Sequence, residues 1–385
     1  MNRSIPENNM NIKFHNVYLK LMNNYNYNFI IMIKNSYKKL LSKINKLRVS
    51  MGKSTLSAGE DRIKHSAYSF NGEVTTALWN LDSKQDYVWA KLNYLLVVDG
   101  HGKDMTINWI RKQTDKDLID AFTSGNPIKY LEDKLKRDFI DTKDSGACVT
   151  AIVIGDCKID IFKIGDTKAN VYINKELVLE TDDHSAFNEI EYNRKLNEGA
   201  KFRKEYMMHC LPTSQDGTLN FTKRMGNYIQ HSNFDDCVIS RAMGHANAGQ
   251  NSYTGTIIEH KSLYYNDEDE ILVMSASDGV WDMYHPTENM SHYTNATSLV
   301  YNATKRWHSD INFVHWQGHN CEECRYKRRT RSILPVISVQ PGILPDDISA
   351  IVWHKQPNKK IHHIPTHEEA VENAVKLAKK YLNID

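Results

Sequence analysis

Five aspartates stand where an apolar run begins or ends. Four share one form: Leu95-Leu-Val-Val-Asp99-Gly-His-Gly102, Ile161-Phe-Lys-Ile-Gly165-Asp166, Ile271-Leu-Val-Met-Ser-Ala-Ser-Asp278-Gly279 and Asp346-Asp-Ile-Ser-Ala-Ile-Val352. A fifth, Gln85-Asp86-Tyr-Val-Trp89, leads into the first. A strand buried in a sheet fixes its backbone, so a carboxylate at its end is held without a flexible stem. An adjacent glycine allows a tight turn and a close approach of backbone oxygen. Carboxylates that converge repel one another and resist ionisation unless a cation lies between them. An all-oxygen ligand set without His or Cys selects a hard ion, Mg²⁺ or Mn²⁺ rather than Zn²⁺. Asp-Gly alone is a common turn. Asp99-Gly-His-Gly followed by Asp278-Gly-Val-Trp-Asp282 is more than a turn signal.

Such aspartates need strands behind them. From Ala77 onward the chain reads as short apolar strands broken by Asp/Gly turns. Strands are expected at Tyr94–Val98, Val149–Ile154, Ile159–Ile164, Lys168–Ile173, Ile271–Ala276 and Ile348–Trp353. Helices are expected at Asp104–Arg111, Ala186–Glu198 and Glu368–Leu382, the last with Ala370, Val371, Ala374, Val375, Ala378 and Leu382 at helical spacing. Short strands with hairpins and helices between them indicate an α+β fold of packed antiparallel sheets covered by helices.

The ordered set Gln85-Asp86, Val98-Asp-Gly-His-Gly102, Ser145-Gly-Ala, Ile164-Gly-Asp-Thr167, Asp183-His184, Ser240-Arg-Ala-Met-Gly244, Ala276-Ser-Asp-Gly-Val-Trp-Asp282 and Asp346-Asp-Ile-Ser349 resembles the PP2C family of metal-dependent Ser/Thr phosphatases. The resemblance covers roughly residues 65–355. It implies a β-sandwich of two antiparallel sheets flanked by α-helices, in α-β-β-α layers. It further implies that Asp99 bridges two Mg²⁺ or Mn²⁺ ions with help from the Gly100 carbonyl. Asp278 and Asp346 would complete one shell, Asp86 would sit near the second ion, and Asp166 with Asp278 resembles a weaker third-metal site. The implied reaction is hydrolysis of phosphoserine or phosphothreonine by a metal-bridged water, with His101 as general acid to the leaving oxygen.

The chain departs from the family pattern at four places. The family usually carries a phosphate-gripping arginine shortly before the position of Asp86. Here residues 77–85 contain none, and Lys84 offers a point charge rather than a bidentate fork. Gln85 stands where a glutamate is frequent, Asp346-Asp347 where Asp-Asn is usual, and Lys103 where a second glycine is common. The missing arginine motivates an alternative, a pseudophosphatase that binds phosphoproteins without turnover. A phosphoesterase acting on nucleotides is a third possibility.

The rest of the chain sets the context. Its 385 residues are 41% hydrophobic and 25% charged, the balance of a folded globular protein, and suffice for one large domain or two. A formal net charge of +2 gives no case for nucleic acid as the main partner. No apolar run approaches the length of about 18 residues that spans a bilayer. Residues 1–60 form an Asn- and Lys-rich extension whose segment 36–48 could be a basic amphipathic helix, 61–355 the phosphatase-like domain, and 356–385 a helical tail. An insertion at about 308–340 carries His315, His319, Cys321 and Cys324, a set that could hold structural zinc but reads more simply as two free thiols, and the basic run Arg325–Arg331, read as a solvated face. Six cysteines, four scattered and two close together as Cys321 and Cys324, do not make a disulfide scaffold. The expectation is an intracellular, cytoplasmic monomer whose partner is a phosphoprotein substrate.

Overall fold

The structure, a computed structural model, describes residues 63–357 except 82, 139–140, 215–217, 231–236, 246–256, 315–336 and 341–345. All of them fall in the compact unit Arg62–Asp385. The 1–60 extension, the helix expected at Glu368–Leu382, and His315, His319, Cys321 and Cys324 lie outside the described residues.

In chain order the elements begin with β1 (Lys64–Ser69), β2 (Glu73–Trp79), β3 (Asp86–Lys91), β4 (Tyr94–Gly102), α1 (Met105–Arg111), α2 (Asp115–Thr123) and α3 (Pro127–Arg137). There follow β5 (Ser145–Ile154), β6 (Lys158–Ile164), β7 (Lys168–Ile173), β8 (Glu176–Glu180), α4 (Glu189–Asn197), β9 (Lys201–Leu211) and β10 (Leu219–Gln230). The rest are β11 (Met243–Gly244), β12 (Glu259–Tyr264), β13 (Ile271–Ala276), α5 (Asp278–Trp281), α6 (Ala296–Trp307), β14 (Ile311–Val314), β15 (Ile337–Gln340) and β16 (Ile348–Lys355). No helix among the described residues is long and apolar enough to cross a membrane.

Two antiparallel sheets form the centre, ordered β1-β2-β16-β13-β7-β8 and β12-β6-β5-β4-β3. Their inner strands are apolar on both faces because both faces are covered, while the edge strands β1, β8 and β12 carry exposed residues. In β4, Leu95 and Val97 point between the sheets, where they join Val171, Val273, Ile351 and Trp353. The alternate residues Leu96 and Val98 point outward and pack beneath Ile107, Ile110, Phe122 and Leu131 of α1–α3. On the far side, Ala350 and Val352 of β16 pack under Leu299, Val300, Ala303 and Trp307 of α6. The period of two along a strand thus sorts one continuous apolar run into two cores. The result is the expected α+β fold in α-β-β-α layers.

A third sheet was not anticipated. Strands β9 and β10 form a long hairpin, and β14 joins β10 in parallel and pairs with β15 to give the order β15-β14-β10-β9. Leu219, Phe221, Ile311 and Phe313 anchor it to the core beside α6.

Candidate active site

The site lies where the ends of the two central sheets meet. In one sheet, β3 pairs with β4 so that Asp86 is the register partner of Asp99. Strand β6 ends on the same side and runs into Gly165-Asp166. In the other sheet, β13 ends at Ala276, paired with Ala350 of β16, so Asp278 and Asp346 emerge together. Ser277 joins the two sheets: its Oγ donates to Asp86 Oδ2 at 2.7 Å and accepts from the Ser349 amide at 3.0 Å. Gly279 makes this junction possible, because a Cβ there would collide with the Asp347 carbonyl oxygen.

Carboxylate oxygens of Asp99, Asp166 and Asp278 all lie within 4.8 Å of one another. Burial and then the charge of Asp278 drive the Asp99 pKa well above the ordinary carboxylate range. Asp278 is raised in the same way, by burial and then by Asp166 and Asp346. Asp86 is lifted to about 7 by burial, against the stabilising Ser277 and Ser349 hydroxyls. Asp166 and Asp346 are also raised, chiefly by burial. One oxygen each of Asp166 and Asp183 is buried without a hydrogen-bond partner. Unpartnered acceptors and mutually repelling carboxylates together fit a hard divalent cation, and no histidine or cysteine enters the trio.

Several residues that the sequence reading left unassigned stand at this site. Asp282, one helical turn after Asp278, is lifted to about 7 by burial and by Asp166, Asp346 and Asp183. The i, i+4 spacing was the available signal. Asp347 anchors the loop before β3, accepting from the Leu81 amide, from Ser83 Oγ at 2.9 Å and from the Gln85 amide at 2.6 Å. Lys163, fully buried, donates to the Gly165 carbonyl at 2.7 Å and to the Asp182 carbonyl, tying together the turns that carry Asp166 and Asp183.

His101 lies two residues beyond Asp99, and its Nε2 is 2.8 Å from Nε2 of His245. Burial, then His245, lowers its pKa to about 3, so the ring is neutral. Lys84 is exposed in a left-handed backbone with φ of 51°. The Arg111 guanidinium donates to the Lys84 carbonyl and, at 2.9 Å, to that of Asp86.

The family profile described as Protein phosphatase 2C matches residues 64–296, which span every strand of both central sheets except β16. This chain belongs to the PP2C family. Among solved structures it is similar to a serine-threonine phosphatase 2C from Toxoplasma gondii, at 11% identity over 76% of this chain and 98% of that one, with a TM-score of 0.48. It is also similar to a C. elegans sex determining protein, at 14% identity over 79% of this chain and 67% of that one, with a TM-score of 0.41. A third is the catalytic domain of the serine threonine protein phosphatase PstP in complex with two manganese ions, at 13% identity, 76% and 98% coverage and a TM-score of 0.36. No curated protein matches the chain. PP2C membership places the acidic cluster in a metal-dependent Ser/Thr phosphatase fold, and the donor set here suits that role.

Proposed function

We propose that this PP2C chain is an active phosphatase for phosphoserine and phosphothreonine in proteins. The carrying observation is the convergence of Asp99, Asp166 and Asp278 within 4.8 Å, with Asp86, Asp282 and Asp346 raised around them. A scaffold has no need of so many opposed carboxylates, whose repulsion costs stability unless cations neutralise it. Asp86, Asp99, the Gly100 carbonyl, Asp278 and Asp346 would hold two Mg²⁺ or Mn²⁺ ions, and Asp166, with Asp278 and Asp282, a third. Bound there, the ions supply charge neutralisation for the phosphoryl group and a water acidic enough to be a nucleophile at neutral pH.

Other residues bind and orient. The Lys84 backbone is held from both sides, by Arg111 at its carbonyl and by Asp347 at the next amide. A non-glycine residue fixed in the left-handed region stores strain of the kind that marks functional positions. Its exposed ammonium offers a point charge to a substrate phosphate, and His101 attends the leaving oxygen. In this reading the partner is a phosphoprotein, met by a monomer in the reducing cytoplasm, where Cys148, Cys157 and Cys210 stay as free thiols.

A specific observation favours a pseudophosphatase as the second reading. Residues 77–85 contain no arginine, and the Arg111 guanidinium is committed to backbone carbonyls. Mn²⁺-dependent phosphate release from a phosphothreonine peptide, beside Asp278→Asn, decides between them. Metal-dependent turnover lost in the variant is the expected result. Folded, metal-loaded protein without turnover would leave the phosphoprotein-binding scaffold.

A further inference from the structure

A helix of four residues does not hold itself. Its first turn fixes several dihedrals for each hydrogen bond it closes, so α5 depends on what surrounds it. Yet α5 begins at Asp278 and stops just before Asp282, two of the aspartates proposed to hold ions. Its own ties are few. The Asp282 amide donates to the Asp278 carbonyl at 2.8 Å, and the Trp281 indole folds back to the Ala276 carbonyl at 2.9 Å. In a regular helix the Met283 amide would reach the Gly279 carbonyl. It turns instead to the Val280 carbonyl at 3.1 Å and leaves that of Gly279 without its helical donor.

Trp307 supplies the donor. It lies 28 positions further on, at the end of α6, and its buried indole Nε1–H donates to the Gly279 carbonyl at 2.7 Å. The Gly279 α-carbon meanwhile lies against the Asp347 carbonyl, where no side chain fits. The residue before Trp307 grips the same turn further along. The Arg306 guanidinium donates to the Met283 carbonyl at 2.7 Å, pairs with Glu288 at 2.7 Å and stacks over the Tyr284 ring at 3.9 Å. These two ties bracket Asp282. Helix α6 can bear them because it is anchored along its length: Leu299, Val300 and Ala303 pack into the core, and the Ala296 amide donates to Thr75 Oγ1 of β2 at 2.8 Å.

We propose that Trp307 is the positioning residue of Asp278 and Asp282: by donating to the Gly279 carbonyl it fixes the roll of α5 about its axis, and with it the aim of both carboxylates. A buried carbonyl deprived of its donor carries a desolvation penalty that the turn can relieve only by rotating toward another donor or toward water. The two aspartates would rotate with it. Groups that orient ligands from behind govern metal affinity although they touch no metal. The inference rests on the reading of these aspartates as ion ligands given above, and it adds a residue from a helix that contributes no ligand.

Three altered forms of the full chain test it. Trp307→Phe removes the donor. Benzothienylalanine introduced site-specifically at 307 keeps the shape of the indole and removes only its N–H. Val300→Ala trims the core face of the same helix without touching that hydrogen bond. Calorimetric titration of EDTA-treated protein with Mn²⁺ should show a Kd roughly tenfold weaker in both Trp307 forms and unchanged in Val300→Ala. With a phosphothreonine peptide, the Mn²⁺ concentration for half-maximal rate should rise by the same factor in the Trp307 forms, with KM for the peptide unchanged and kcat restored at saturating Mn²⁺. An unchanged Mn²⁺ Kd in the benzothienylalanine form, or a loss in Val300→Ala as large as in Trp307→Phe, overturns the proposal. Wild type that binds Mn²⁺ but releases no phosphate refutes the phosphatase reading and leaves the role of Trp307 standing. Wild type that binds no Mn²⁺ refutes the ion site and the proposal with it.

Discussion

Lys84 is the only basic side chain in the segment 77–85 that leads to Asp86. Lys84→Ala is expected to raise KM for a phosphothreonine peptide about tenfold, the worth of one charged contact of about 1.4 kcal/mol, with kcat nearly unchanged. Lys84→Arg should lower KM by adding a planar fork. Steady-state kinetics read both, and an unmoved KM in Lys84→Ala would assign the phosphate grip elsewhere. His101 carries a different residue-scale lesson. Its place after Asp99 is plain in the sequence, but the ring it meets at Nε2, His245, lies 144 positions away.

Elements position these side chains through a few linchpins. Asp347 holds the β2–β3 loop by three hydrogen bonds, two of them to main-chain amides. Asp347→Ala leaves those donors unpaired and frees Gln85-Asp86 and Lys84 together. We expect a loss of about 2–4 kcal/mol in denaturant melts and at least a tenfold fall in kcat/KM. Thr114→Ala is the matched control. Thr114 and Asp117 form a reciprocal cap at the start of α2, with Thr114 Oγ1 accepting at 3.2 Å and Asp117 Oδ2 accepting at 3.0 Å. Its loss should cost about 1 kcal/mol and leave turnover unchanged. Equal damage to activity by both variants would mean that Asp347 acts only through global stability.

Over the whole molecule the acidic cluster makes stability depend on pH and metal. Asp86 and Asp282 rise from 3.8 in the unfolded chain to about 7 in the fold, and Asp99 and Asp278 are raised in the same direction. The folded metal-free protein therefore binds more protons than the unfolded chain above 3.8, and that stabilisation is lost as pH climbs through about 7. His101, His184 and His245 shift the opposite way, downward from 6.5, so their opposing contribution is complete by pH 6.5. Between about pH 6.5 and 7.5 the aspartates govern the slope. EDTA-treated protein should lose thermal stability across that window. Mn²⁺ at a hundredfold excess over Kd should add about 2.7 kcal/mol, more at the alkaline end. A metal-free Tm that stays flat and ignores Mn²⁺ would contradict a cation site at these carboxylates.

What the sequence determined by itself is the local grammar. Lys168–Ile173 and Ile271–Ala276 run as strands with the bounds their apolar pattern predicts, and Asp166, Asp278 and Asp346 stand just outside strands, whereas Asp99 stays inside β4, which runs on past the expected end at Val98 to Gly102 and pairs Asp99 with Cys148. The helix read as Ala186–Glu198 is shorter, Glu189–Asn197, because the Asn188 side chain accepts from the Ile190 amide and caps it there. The β9–β10 hairpin escaped notice for a physical reason. Lys201-Phe-Arg-Lys-Glu-Tyr206 is mostly polar and solvent-facing, and its sheet is completed by Ile311–Val314, so no local alternation marks it. Tertiary structure alone decided which aspartates share oxygens within 4.8 Å, that Asp282 and Asp183 face them, that Asp347 clasps the loop before β3, and that His245 meets His101. A carboxylate's type and turn are written in its neighbours along the chain. Its charge state, and the company that a metal or a proton requires, arise only where two sheet ends converge.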